Sequence, residues 1–223
     1  LFKGTTLENS AAGTIESISK IELKDIENFI SQTVCLENLI IVAGGDFELK
    51  EFEKLVKPLL ETLNVGKKAQ LEEVNFISKK EEKVLIKDTQ QAYIYFGSSF
   101  NINSKDEEKY KAKVASFILG GSGFGSRLME EIRVKRGLAY SAYSNIGINR
   151  LYSSFSGYLQ TKNESSNEAI NIVKSLVDDF VKSGVTQEEL DAAKNFLLGS
   201  EPLRTETLAQ RLNRAFMLDF KGL

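Results

Sequence analysis

Arg133 and Tyr140 stand seven residues apart, beside a turn that holds Gly120, Gly121, Gly123 and Gly125. An arginine brings a planar fork of five donors suited to carbonyl and carboxylate oxygens. A tyrosine hydroxyl can donate to an oxygen that gains negative charge during acyl transfer. The pair is therefore a candidate for gripping and polarising a carbonyl group. The same residues also fit a surface arginine and a half-buried strand tyrosine with no chemical role. The glycines carry two readings as well. One is a tight helix-to-helix connection in which glycine permits positive φ. The other is a loop left bare for an approaching peptide backbone, with Gly121, Gly123, Phe124 and Gly125 as its contacting residues. A nucleotide loop fits poorly: Ser126 and Arg127 follow Gly125 where a phosphate loop needs Lys and Ser/Thr, and a helical pattern precedes instead of a strand.

The chain has no histidine in its 223 residues. That removes every His-containing catalytic triad and the imidazole ligands of a usual zinc hydrolase site. The carboxylates do not compensate. Glu130-Glu131 and Glu188-Glu189 are adjacent pairs, which point in different directions on a helix. A Ser–Lys arrangement is compatible with the composition, but no serine stands out. Cys35 is the only cysteine, so no internal disulfide is expected, and its apolar neighbours suggest a small buried side chain. One cysteine fits a cytosolic or a periplasmic protein equally. Twenty-nine basic against 31 acidic residues leave a net charge of −2, so no nucleic-acid partner is expected. No apolar run approaches the roughly 20 residues that cross a bilayer, and a membrane-spanning segment is not expected.

Helical spacing links Ile26, Phe29 and Ile30, and again Leu49, Phe52, Val56, Leu59 and Leu63, with Pro58 as a point for a kink or break. Between them the apolar run Leu39 to Ala43 predicts a strand covered on both faces. Residues 1–21 read as irregular, and Asn64 to Gln70 is the best linker. Beyond it, strands are predicted over Lys83–Lys87 and Gln91–Gly97, the second alternating Ala92, Ile94, Phe96 against Tyr93, Tyr95. The run Ser78 to Lys87 reads as a solvated edge leading into a strand. Helices follow over about Asp106–Leu119 and around Leu128 and Ile132, ended by Gly137. Leu138–Ile148 and Leu151–Gln160 form the simplest hairpin. Ser166–Ser183 is a long helix with Ala169, Val173, Leu176 and Phe180 inward. Thr186 and Glu189 cap another, Glu201-Pro202 breaks it, and Leu208, Leu212, Ala215 and Phe216 mark a last one. The sequon Asn163-Glu164-Ser165 marks an exposed turn. Paired strands with amphipathic helices predict an α+β fold, a two-layer α/β sandwich whose antiparallel-rich sheet is covered by helices.

The element order and the run EIRVKRGLAYSAYS, Glu131 to Ser144, resemble the M16 family of zinc metalloproteases, pitrilysin-like and mitochondrial-processing-peptidase-like. Thr186 to Leu190 and Ala192 to Lys194 fit as well, and the likeness covers essentially the whole chain. It implies the LuxS/MPP-like metallohydrolase sandwich, with residues 1–66 as the C-terminal part of a first domain and 67–223 as a second domain incomplete at its end. Family catalysis uses an inverted His-x-x-Glu-His motif with a further Glu, none of which is present here. The resemblance therefore implies Zn in a full-length parent, with ligands upstream of Leu1 and none in this chain. It assigns Arg133 and Tyr140 to substrate binding and intermediate stabilisation, on an extended or unfolded polypeptide bound partly by strand addition. The expected partners are that peptide, the missing N-terminal region of the same protein, and a second subunit in a homodimer or heterodimer. The isolated chain is expected to be inactive. An inactive partner subunit of an M16-like assembly is the alternative. A small-molecule module would instead need a closed apolar pocket near Tyr93, Tyr95 and Tyr143.

Overall fold

The computed structural model describes residues 2–5, 7–70, 74 and 79–222. These form helices α1 (Ile15–Ser19), α2 (Leu23–Thr33) and α3 (Leu49–Thr62), then strand β1 (Gln91–Ser99). Helices α4 (Lys109–Ser116) and α5 (Arg127–Met129) follow, with strands β2 (Ala139–Ile148) and β3 (Ser153–Lys162) after them. Helices α6 (Ser166–Ser183), α7 (Gln187–Ser200) and α8 (Leu208–Lys221) come last. Contacts divide the chain into two units, Thr6–Glu72 with Glu201–Leu223 and Leu1–Thr5 with Glu73–Ser200.

The second of these units holds the sheet. Its three strands are antiparallel in the order β1-β3-β2, so β3 is central and both neighbours lie at an edge. Side chains alternate across a strand, and here the alternation separates a covered face from an open one. The covered face brings Ala139, Ala142 and Leu159 against Leu119, Leu128 and Ile132 and against Ala169 and Val173 of α6, with Ile94 and Phe96 packed alongside. Leu128, Ile132 and Leu159 are fully buried, and each such side chain contributes about 1.5–3 kcal/mol of transfer free energy. The open face carries Tyr93, Tyr95 and Tyr143. One helical layer on one antiparallel sheet is the α+β sandwich expected from the sequence.

In the other unit Cys35 is buried beneath Gly66, whose missing Cβ would fall 2.3 Å from the Cys35 sulfur. The irregular run that follows α3 is held there: Leu36 and Glu37 donate their N–H groups to Asn64 and Val65 at 2.9 and 3.1 Å.

Several expectations fail for physical reasons. Leu39 to Ala43 is no strand. It packs beside Gly44, which sits against Leu208 and Leu212 of α8, while Leu39 and Ile41 stay exposed and no described strand pairs with it. Lys83 to Lys87 is likewise unpaired, with Val84, Leu85 and Ile86 72%, 72% and 91% exposed. β-branched composition makes a strand only where a neighbouring strand supplies hydrogen bonds and packing. Ser78 lies outside the described residues. Residues 1–21 contain α1, started by a capping box between Thr14 and Ser17. Helix α3 runs unbroken through Pro58.

Candidate functional site

Two widened turns frame the glycine segment. Ser122 N–H reaches back to Phe117 at 3.1 Å, and Lys135 N–H to Glu130 at 2.9 Å. Each is a π-type turn, over Phe117–Gly121 and Glu130–Val134, which shifts the residues after it around the helix axis. Between them Gly123 and Gly125 have φ of +68° and +93°, a region that side-chain-bearing residues seldom adopt. Ser126 begins α5 by accepting from Met129 N–H, and its hydroxyl donates to Gly123 O at 2.8 Å. The loop thereby turns Phe124 out into solvent, 67% exposed.

Tyr140 is placed by a bulge. Ala139 pairs with Thr161 and Ala142 with Leu159, so three steps on β2 match two on β3. Strict alternation would send Ala139 and Ala142 to opposite faces. The surplus residue lets both reach the core, where they are 7% and 2% exposed, and leaves Tyr140 82% exposed beside them. No described strand pairs with the outer side of β2. Part of that side is nonetheless occupied: Ile146 N–H donates to Ser116 Oγ at 3.0 Å. A Cβ on Gly120 would lie 2.6 Å from Ser144 N. The end of β2 that carries the bulge is the part left open.

These elements bring Phe124, Arg133 and Tyr140 together. The Arg133 guanidinium lies 4.6 Å from the Phe124 ring centroid and 4.4 Å from that of Tyr140, a cation held by two ring faces. Among the described residues neither the guanidinium nor the Tyr140 hydroxyl has a hydrogen-bond partner. The neighbouring cations are all engaged. Lys135 and Arg136 both bind Glu131, and they hold its carboxyl below the usual carboxylate range. Of the other candidate residues, Gly121 packs on its own helix, where a Cβ would stand 3.0 Å from Ser116 O, while Gly123 and Gly125 shape the loop beside open space.

A second arginine fixes the loop to the helical layer. Arg127 Nε and Nη2 donate to Glu189 at 2.6 and 2.7 Å, Nη2 also donates to Gly184 O at 2.8 Å, and the guanidinium lies 5.0 Å from the Phe180 ring centroid. Glu189 was legible only as the partner of Thr186, a bond that is present: it accepts Thr186 N–H at 2.8 Å. Its pairing with a residue 62 positions away leaves no local signal.

Tyr95, Tyr158 and Tyr143 form one row across the three strands. They line an open face, with Tyr95 75% and Tyr143 50% exposed, so the closed pocket required of a small-molecule module is not formed there. Among the described residues no group of three or more His, Cys, Asp or Glu side chains is placed to hold a metal ion. The donor set of this chain, without histidine and with its cysteine buried alone, does not fit a zinc centre. No helix of the described residues is long and apolar enough to cross a membrane.

Comparison with known proteins follows the same lines. Residues 20–197 match the family model described as the peptidase M16 inactive domain. A Helicobacter pylori protein named as a non-peptidase homolog, YmxG, is 45% identical over 223 residues, covering 100% of this chain and 51% of that protein. An uncharacterized zinc protease of Streptomyces coelicolor is 25% identical, covering 96% of this chain and 48% of its own length. The chain thus spans about half the length of these relatives. The crystal structure of a peptidase M16 inactive domain from Pseudomonas fluorescens superposes with a TM-score of 0.84 at 26% identity, over 100% of this chain and 53% of that one. The match of the inactive-domain model over most of the sequence shows that the chain belongs to the peptidase M16 family.

Proposed function

We infer that this chain is the non-catalytic, peptide-holding part of an M16-type protein. Arg133 and Tyr140, supported by Phe124, grip the backbone of an extended polypeptide beside the open end of β2. The observation that carries this reading is the convergence of an unpartnered guanidinium and an unpartnered phenol at one exposed point next to an unpaired strand edge. Both groups are donors, and peptide carbonyls are the acceptors that an extended chain presents. Strand addition is confined to the start of β2, since Ser116 and Gly120 occupy the rest of its outer side. In the whole protein, residues 1–66 complete a first domain and 67–223 make most of a second. Any bond cleavage is done by a zinc centre in the half this chain does not span.

The test uses the full-length protein with zinc, measuring both binding and cleavage of an extended peptide before and after Tyr140→Phe. Loss of one polarising donor should lower turnover by about 100-fold where cleavage occurs, with folding unchanged because the hydroxyl is exposed. Unaltered binding and turnover would remove Tyr140 from the site. A second reading is favoured by the 45% identical relative, itself named a non-peptidase homolog. In that reading the whole protein is an inactive partner subunit of an M16-like assembly, as a homodimer or a heterodimer. It predicts peptide binding without cleavage, and a remaining half that lacks His-x-x-Glu-His.

A further inference from the structure

The geometry points to a narrower ligand class for this site: the cluster of Phe124, Arg133 and Tyr140 is a carboxylate anchor, which selects extended peptides that present a carboxylate, from a chain end or an acidic side chain. The inference rests on the peptide-holding reading above and adds a preference to it.

The cations that neighbour Arg133 are already paired. Arg127 is engaged by Glu189 and by the Gly184 carbonyl. Arg136 and Lys135 share Glu131. Arg133 sits in the same helical segment without a carboxylate, hydroxyl or carbonyl acceptor among the described residues, and two aromatic rings hold it in place. A neutral backbone carbonyl offers such a fork one acceptor atom. A carboxylate offers two, in the plane and at the spacing of the guanidinium edge, with bonds roughly twice as strong. The rings matter for a second reason. They fix the long side chain before any ligand arrives, which reduces the ordering cost of binding, and they displace water from the cation, which strengthens its attraction for an anion. Phe124 is thus a positioning residue, acting through Arg133, and the positive φ of the flanking Gly123 and Gly125 is what places its ring there.

The experiment measures fluorescence anisotropy with purified full-length protein and a short acetylated, dye-labelled apolar peptide. The peptide is made with an amidated end, with a free C-terminal carboxylate, and with an amidated end and one internal Gln or Glu. The carboxylate or Glu peptide should bind about ten-fold more tightly than its neutral counterpart. Gain for the free end alone identifies a chain terminus, and gain for Glu alone identifies a side chain. That gain should disappear in Arg133→Gln, persist in part in Arg133→Lys, and shrink in Phe124→Leu by a larger factor than the binding of the neutral peptide weakens. Equal binding of all four peptides, still weakened by Arg133→Gln, overturns the anchor and leaves the peptide-holding reading in place. A gain that survives Arg133→Gln also overturns it. Absence of binding to every peptide removes both.

Discussion

The Glu189 carboxylate accepts from Arg127 Nε at 2.6 Å, from Arg127 Nη2 at 2.7 Å and from Thr186 N–H at 2.8 Å. These donors, Arg127 foremost, hold it down to about 2 from an ordinary 4.5. Because the folded value lies below the unfolded one, the stabilisation is fully present above about pH 4.5 and is lost as the pH falls toward 2. Glu189→Gln should therefore cost about 1–2 kcal/mol at neutral pH, a figure reduced from the full linkage value because the pair remains partly wet. The denaturant midpoint of the wild type should fall more steeply between pH 4.5 and 2 than that of the variant. Parallel curves would show that the ion pair adds nothing to stability. At this scale the sequence names Arg133 and Tyr140 as candidates, since donor chemistry can be read from residue type, and Phe124 only as a member of the glycine loop. It does not reveal that the rings of Phe124 and Tyr140 close on Arg133, which depends on a loop conformation that residue types leave open.

Among the elements, the approach of α4's widened end to β2 leaves no room for a side chain. A methyl group on Gly120 would fall 2.3 Å from Ser144 Oγ, 2.6 Å from Ser144 N and 2.8 Å from Leu128 Cδ1. Gly120→Ala should destabilise by about 1–3 kcal/mol through forced separation of helix and strand. Adding Ser144→Ala should rescue it only in part, because the backbone nitrogen remains in the way. Urea unfolding of the single and double variants decides this, and full rescue would place the clash on the hydroxyl alone. The regular elements here were legible because their periods are: β1 alternates every two residues, and α6 repeats Ala169, Val173, Leu176 and Phe180 on one side. The bulge was not legible, since that Ala139 and Ala142, an odd number of residues apart, are both buried is seen only in the structure. Leu39 to Ala43 misleads for a different reason. An apolar run states that cover is needed, and says nothing of whether a strand or a helix such as α8 provides it.

For the whole molecule, the unit made of residues 6–72 and 201–223 leaves much apolar surface uncovered. Leu23, Ile26, Phe29 and Ile30 of α2 are 75%, 46%, 64% and 50% exposed, and apolar patches of this kind normally mark a surface covered by other protein. If the remaining half of an M16-length protein covers them, the chain alone should self-associate with rising concentration and bind a hydrophobic dye. The full-length protein should do neither under the same conditions. Sedimentation velocity of both forms checks the expectation, and a monomeric, dye-silent isolated chain would contradict it.

That unit is assembled from two segments that flank the sheet-bearing one in sequence, since Gly44 finds Leu208 and Leu212 only after residues 73–200 have been traversed. On a ribosome residues 7–70 must therefore wait for their partner until α8 emerges, while nearly all of the intervening body is contiguous and is free to fold as soon as it clears the exit tunnel. For these segments the order of synthesis is not the order of folding, and α2 and α3 become natural targets of a holding chaperone while they wait for α8.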